Sequence, residues 1–137
     1  MKTQSHAKEW GLHSVSYWVT LFLALGIIFV GVRFIVAPSA GADGFGIGII
    51  DAHDLAYGRI KGIRDIFSGV VLLLLLWRRM RSVTAWVFTT TIIIPVTDGL
   101  IVLANNGAGD VSHLLIHWGT AAVMMVTSFL LFRHNDK

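Results

Sequence analysis

The stretch 57–77 constrains the fold of this chain more than any other part of its sequence. It reads YGRIKGIRDIFSGVVLLLLLW, and its second half, almost pure Leu and Val, must be surrounded by apolar material. The first half carries Lys61, Arg64 and Asp65. Together with Ser68 these charges fall at helical spacing, so one helix would place them on one face. In a membrane that face must point towards protein, which makes it a candidate functional site.

The composition indicates an integral membrane protein that forms a single domain. Of the 137 residues, 55% are hydrophobic and only 14% are charged. The absence of cysteine excludes disulfides, thiolate catalysis and iron–sulfur clusters. The formal net charge of +3 is small, and the basic residues form short clusters at segment ends, so we expect no nucleic-acid partner.

Four apolar segments are each long enough to cross a bilayer, which takes about 20 residues. We therefore predict an all-α, integral membrane, four-helix transmembrane bundle. Its spans are 15–36, 57–77, 82–104 and 111–132. Pro95 should kink the third span, because it leaves the carbonyl of Thr91 without a hydrogen-bond donor.

Segment 37–56 is predicted to be a glycine-rich outer loop. Pro38 should end the first helix, and the glycines that follow should forbid a regular helix through Gly48. The segment is apolar for a loop, because it contains Phe45 and several isoleucines. We therefore expect it to pack down onto the bundle as a lid.

The positive-inside rule predicts that both termini are cytoplasmic. The basic turn at 78–81 is the strongest cytoplasmic marker, and Lys2, Lys8, Arg133 and Lys137 agree with it. The expected location is the cell membrane, which is the inner membrane in a Gram-negative cell. The expected partners are membrane lipid and a lipophilic small molecule, and a homo-oligomer is possible.

The charged residues of the four spans reach similar depths in the outer half, counted at about 1.5 Å per residue. This predicts a pocket with Asp98, His117 and Asp65 as catalytic candidates. The ligand-binding candidates are Lys61, Arg64, Arg33, Tyr57 and Thr120. A central charge costs at least ~2.5–3.5 kcal/mol unless it is paired. We therefore expect Asp98 to pair with Arg64 or Lys61, and Asp65 to pair with another of the three bases, which leaves one surplus cation for a ligand anion.

Plainer interpretations remain open for these residues. The charges can form a structural ion network that fixes helix register. Arg33 can extend to lipid headgroups, and His117 can be a hydrogen-bonded core residue. His113 and His117 are four residues apart and could share a metal with Asp98, but the acidic residue typical of such helices is missing. We expect no metal and no cofactor.

Five short motifs resemble the DUF4267 family, small four-span membrane proteins of unknown function. They are GVRF at 31–34, GADGFGI at 41–47, KGIRD at 61–65, IPVTD at 94–98 and HWGTA at 117–121. The resemblance extends over roughly 19–131. It implies the four-helix architecture and supplies no activity.

Three functions remain open at this point. The first is a binding protein or acid–base enzyme, of isomerase, cyclase or lyase type, for a small lipophilic molecule with a polar or anionic end. Asp98 or His117 would be its acid or base, and Lys61 and Arg64 would hold an anion or polarise a carbonyl, with Asp65 orienting the arginine. The second is a small homodimeric proton-coupled transporter, and the third is a structural or accessory membrane subunit.

Overall fold

Residues 10–133, which are described by a computed structural model, form helices and connecting turns without a strand. The helices are α1 (Val15–Val36), α2 (Pro38–Phe45), α3 (Asp54–Trp77), α4 (Arg81–Thr91), α5 (Ile93–Asn106) and α6 (Val111–Arg133). The end of the bundle that carries α2 is called the outer end here, and the end with the turn between α3 and α4 is the inner end. Lys2, Lys8 and Lys137, used above to predict orientation, lie outside the described residues.

Three helical segments are long and apolar enough to cross a membrane. They are Val15–Val36, Arg81–Asn106 and Val111–Arg133. Their length and composition indicate a membrane protein. Helix α3 has 24 residues, but it is not one of these three segments. It carries the charged residues Lys61, Arg64 and Asp65.

Helices α1 and α3 form the tightest pair in the fold, and glycine makes this possible. A Cβ on Gly31 would lie 2.5 Å from the carbonyl oxygen of Gly62, and one on Gly62 would lie 2.6 Å from that of Gly31. The two backbones are therefore in direct contact at this level. Close approach through small residues is typical of helix pairs in membranes, where van der Waals packing rather than water exclusion holds helices together.

The third predicted span is broken near Pro95, as its sequence predicts. Helix α4 ends at Thr91 and α5 begins at Ile93, so the break falls at Ile92, three residues before the proline. Pro95 has no amide hydrogen to donate to the carbonyl of Thr91, which weakens the helix at this turn. The predicted kink is confirmed.

The prediction of an irregular loop over 37–56 is wrong for its first part, because Pro38–Phe45 is a helix. Pro38 occupies the first helical turn, where its missing amide hydrogen costs nothing, so it starts α2 as well as ending α1. Gly41 is required for packing, since a Cβ there would lie 2.9 Å from the ring of Phe34. Gly46, with φ of 101°, ends the helix in the left-handed conformation that glycine favours.

The long helices form two pairs that leave space between them. Helix α1 packs mainly against α3, and α6 packs mainly against α4 and α5, whereas α3 and α5 make almost no contact. At the inner end the pairs are joined by a dense apolar cluster. This inner cluster consists of Trp10, Leu76, Ala85, Phe88 and Leu131. Towards the outer end the pairs separate, and α2 covers the gap.

Candidate functional site

A cavity of about 430 Å³ lies between the two helix pairs, above the inner cluster. Most of its lining is apolar. Its polar lining includes Arg33 from α1, Lys61, Asp65 and Ser68 from α3, Thr91 and Asp98 from α4 and α5, and His117 and Thr120 from α6. Side chains from α1, α3, α5 and α6 therefore meet in one chamber.

Two of the predicted ligand-binding residues do not line this cavity. Tyr57 is 72% exposed near the outer end of α3. Arg64 is also exposed, so the expectation that it shares the inward face is wrong. With about 100° of rotation per residue, Asp65 lies 40° to one side of Lys61, whereas Arg64 lies 60° to the other. The cavity therefore takes Lys61 and Asp65 and leaves Arg64 outside.

Lys61 and Asp65 form an ion pair on one face of α3. The Nζ atom of Lys61 lies 2.5 Å from a carboxylate oxygen of Asp65, and the residues are four positions apart, which is favourable on a helix. The same ammonium lies 4.7 Å from the ring centroid of Phe34 and 5.1 Å from that of Phe45. Lys61 is thus held by a carboxylate and by two aromatic rings.

Asp98 has no hydrogen bond or ion pair with any side chain or backbone group in residues 10–133. The prediction that it pairs with Lys61 or Arg64 is wrong. Helix α5 packs against α6 and not against α3, which keeps the Asp98 carboxyl group out of hydrogen-bonding distance of Lys61. It remains close enough to Lys61 and His117 to interact with them electrostatically.

His117 is buried and fixes α2 to the bundle. Its Nε2 atom lies 2.8 Å from the carbonyl oxygen of Phe45, and its ring stacks edge-on against the Phe45 ring at 4.5 Å. A carbonyl oxygen only accepts hydrogen bonds, so Nε2 carries the hydrogen. In the neutral ring, Nδ1 is then the nitrogen that can accept a proton.

Helix α2 and the turn after it form a lid over the outer end of the cavity. The guanidinium of Arg33 donates to the carbonyl oxygen of Ala40 at 2.9 Å, and the amide of Asn106 donates to that of Gly46 at 2.6 Å. With the His117 contact, three hydrogen bonds from α1, α5 and α6 hold the lid in place. The prediction that this segment packs onto the bundle is confirmed for residues 38–46, whereas Ile50, further along the segment, is 99% exposed.

The sequence matches the family model described as "Domain of unknown function (DUF4267)" over residues 24–131. The chain belongs to the DUF4267 family. The resemblance seen in its motifs is confirmed, and the matched range of this DUF4267 protein contains the lid and every polar residue of the cavity. No curated protein and no solved structure matches the chain.

The lid anchors of this DUF4267 protein were not predicted from the sequence. Asn105 and Asn106 read alike in a short polar turn, yet they differ in the structure. The Asn105 amide donates back to its own helix, at Ile101, whereas the Asn106 amide crosses to Gly46. Only the position of the lid distinguishes them, and sequence spacing does not give that position.

A second polar cluster of the DUF4267 chain lies on the outer surface, around Asp110. Asn106 and His113 donate hydrogen bonds to its carboxylate, at 2.6 Å and 2.7 Å, and these bonds lower the pKa of Asp110. His113 is therefore turned to Asp110 and His117 to Phe45, so the two histidines considered for a shared metal have different partners. Residues 10–133 contain no group of three or more His, Cys, Asp or Glu side chains that could hold a metal ion.

Proposed function

We propose that this protein binds a small lipophilic molecule with a polar end, inside the membrane, in the cavity beneath the lid. One observation carries the proposal: the carboxyl group of Asp98 lines a mostly apolar cavity and has no partner among residues 10–133. A polar group in apolar surroundings costs free energy unless it is hydrogen-bonded. An occupant with a polar end would supply the missing partner and fill the apolar space.

The size of the cavity supports a small occupant. Its volume is about 430 Å³. Pockets of this volume, with apolar walls and a few convergent polar groups, are typical small-molecule sites. The apolar walls, including Leu72 and Met124, would surround the body of the molecule.

The position of the cavity supports entry from the bilayer. Phe67 on α3 and Ile94 on α5 both line the cavity, yet they are 68% and 54% exposed. They therefore border an opening on the side of the bundle where α3 and α5 make almost no contact. A lipophilic molecule would pass through this opening without crossing the lid.

We further propose that α3 is a fourth span of a bundle in the cell membrane, with both termini in the cytoplasm. The basic residues Arg78, Arg79 and Arg81 surround the inner turn, whereas Asp110 lies at the outer end. On α3, Lys61 and Asp65 neutralise each other, which lowers the cost of placing them in a membrane. Arg64, which is exposed, would extend towards the outer headgroups.

The same groups would support acid–base catalysis of an isomerase, cyclase or lyase type. A carboxyl group without a partner among residues 10–133 is available to give or take a proton, and Nδ1 of His117 can take one when the ring is neutral. Asp65 would act on Lys61, which it orients, rather than on the substrate. Lys61 would stabilise negative charge that develops on the substrate.

Native mass spectrometry of the protein released from membranes, followed by organic extraction of what it carries, tests the proposal. We expect a bound small molecule that is reduced severalfold in Asp98→Asn and retained in Asp54→Asn, an exposed carboxylate at the start of α3. If purified protein carries nothing and also binds no added uncharged aromatic alcohol, the proposal is wrong. Conversion of the extracted molecule to a product of equal mass by the wild type, and not by Asp98→Asn, would identify an isomerase.

A proton-coupled homodimeric transporter is the second candidate, because membrane transporters also use carboxylates without fixed partners. Proteoliposome flux that Asp98→Asn abolishes would support it. The inner cluster argues against this candidate, since Phe88 and Leu131 are buried below the cavity and close the path towards the inner end.

A further inference from the structure

The polar groups of the cavity differ in how much of their hydrogen-bonding capacity is already used. The hydroxyls of Ser68, Thr91 and Thr120 each donate to a carbonyl oxygen of their own helix, at 2.9 Å, 2.7 Å and 2.7 Å. A hydroxyl has one hydrogen and two lone pairs. Each of the three has therefore used its hydrogen and still offers lone pairs.

Each nitrogen donor group of the cavity already makes a bond to the protein. The ammonium of Lys61 uses one of its three N–H donors on Asp65 and lies against the rings of Phe34 and Phe45, and the Nε2–H of His117 bonds the carbonyl oxygen of Phe45. Arg33 donates to Ala40 and is exposed, so its remaining N–H groups lie near the surface of the protein.

The acceptors of the cavity are free by comparison. Neither oxygen of Asp98 has a partner in residues 10–133, and Nδ1 of His117 makes no hydrogen bond to these residues. The interior of the cavity therefore presents free acceptors from α3, α4, α5 and α6, whereas each of its nitrogen donor groups already makes a bond to the protein. An occupant that satisfies this surface must bring hydrogen-bond donors.

We infer that the occupant is a lipophilic amine whose ammonium group bonds the Asp98 carboxylate. The inference rests on the proposed function and specifies its ligand. An ammonium brings three donors and a positive charge, and charge-assisted hydrogen bonds are roughly twice as strong as neutral ones. A carboxylate paired with an ammonium and a carboxylic acid paired with a free amine differ only in the position of one proton. Either form of the amine can therefore bind.

The charges of the cavity argue against a ligand with an anionic end, which the sequence alone left open. That expectation required a surplus cation inside the site, and the structure pairs Lys61 with Asp65. Arg33, the other cation of the lining, is exposed at the rim. An anion in the interior would face the carboxyl group of Asp98, and the two cations that line the described cavity, Lys61 and Arg33, already bond Asp65 and Ala40.

A matched series of fluorescent probes tests this inference in lipid nanodiscs, with empty nanodiscs as the blank. The probes are 1-naphthylmethylamine, 1-naphthalenemethanol and 1-naphthoate, which share one apolar body and differ in the polar end. At neutral pH we expect the amine to bind the wild type about tenfold more tightly than the alcohol, and the alcohol more tightly than the carboxylate. Asp98→Asn should remove the preference for the amine over the alcohol, and Asp54→Asn should retain it.

The outcomes separate this inference from the proposed function. If the alcohol binds and the amine binds no better, or if the carboxylate binds best, the cavity takes lipophilic molecules and the inference is wrong. If none of the three probes binds above the blank, the proposed function fails together with the inference. The order of the three probe affinities in the wild type tests the inference even if Asp98→Asn does not fold.

Discussion

The two ends of this helical bundle differ in how closely the two helix pairs pack against each other. At the inner end, side chains of α3, α4 and α6 fill the space between the helix pairs, and Phe88 is 1% exposed. At the outer end the same pairs separate around a cavity that contains the Asp98 carboxyl group, which has no partner in the described part of the chain. The difference indicates that the inner end provides stability, whereas the outer end holds space that stability alone does not require.

The largest effect is expected at the inner end. Phe88→Ala should lower the free energy of unfolding by about 3–5 kcal/mol, because it removes a fully buried ring and leaves a void. Thermal unfolding in detergent measures the change. Phe129→Ala is the matched control, since Phe129 is 62% exposed on α6 and should change stability little. Equal losses for the two variants would contradict the distinction between packed and open ends.

The wall formed by α1 and α3 should respond next most strongly. Gly31→Ala inserts a methyl group against the backbone of α3 and should cost about 1–3 kcal/mol. Gly26→Ala, on the same helix, has no atom within 4 Å of the added Cβ and should be neutral or stabilise by up to about 1 kcal/mol. Both are measured by thermal unfolding. Tolerance of Gly31→Ala would show that the two helices are further apart than described.

The lid offers a smaller and more local test. Asn106→Ala removes the bond to the carbonyl oxygen of Gly46 and should destabilise the closed lid by about 1 kcal/mol. Amide hydrogen exchange in α2 should then accelerate about fivefold. Asn105→Ala is the adjacent control, since its amide bonds only its own helix. Unchanged exchange in Asn106→Ala would mean that this bond does not hold the lid.

The outer turn should give the smallest effect, a dependence of stability on pH. Hydrogen bonds from Asn106 and His113 lower the pKa of Asp110 below its ordinary value of 3.8. The stabilisation is therefore complete above pH 3.8 and is lost as the pH falls through the lower pKa of the folded state. The melting temperature of Asp110→Asn should fall less steeply with acidification than that of the wild type. Parallel curves would exclude a contribution from this carboxylate.

Part of this structure follows directly from the sequence. Hydropathy and length predict the long helices, and the proline at position 95 predicts the break between α4 and α5. The depth of Lys61, Asp65, Asp98 and His117 along their helices is also set by position, because each residue adds a fixed rise. That constant rise is why residues far apart in sequence could be assigned to one level.

Other features depend on which helices are neighbours, and helix neighbours cannot be read from the sequence alone. The partner of Asp98 could not be predicted, since α5 packs against α6 and the bases lie on α3. Periodicity relates Arg64 to Lys61 but does not say where the cavity begins around the helix axis. Glycine-rich sequence predicts a break rather than helix α2, because it does not show that Gly41 allows close contact with Phe34.

The central claim is that the outer half encloses a chamber for a lipophilic molecule, and two adjacent valines test it most directly. Val71 lines the cavity, and Val70 is 51% exposed on the same helix. Fluorescence titration with 1-naphthalenemethanol in nanodiscs should show about tenfold weaker binding, or none, for Val71→Trp, because the indole would occupy the chamber. Val70→Trp should bind as the wild type does. Equal binding by all three proteins would contradict the claim.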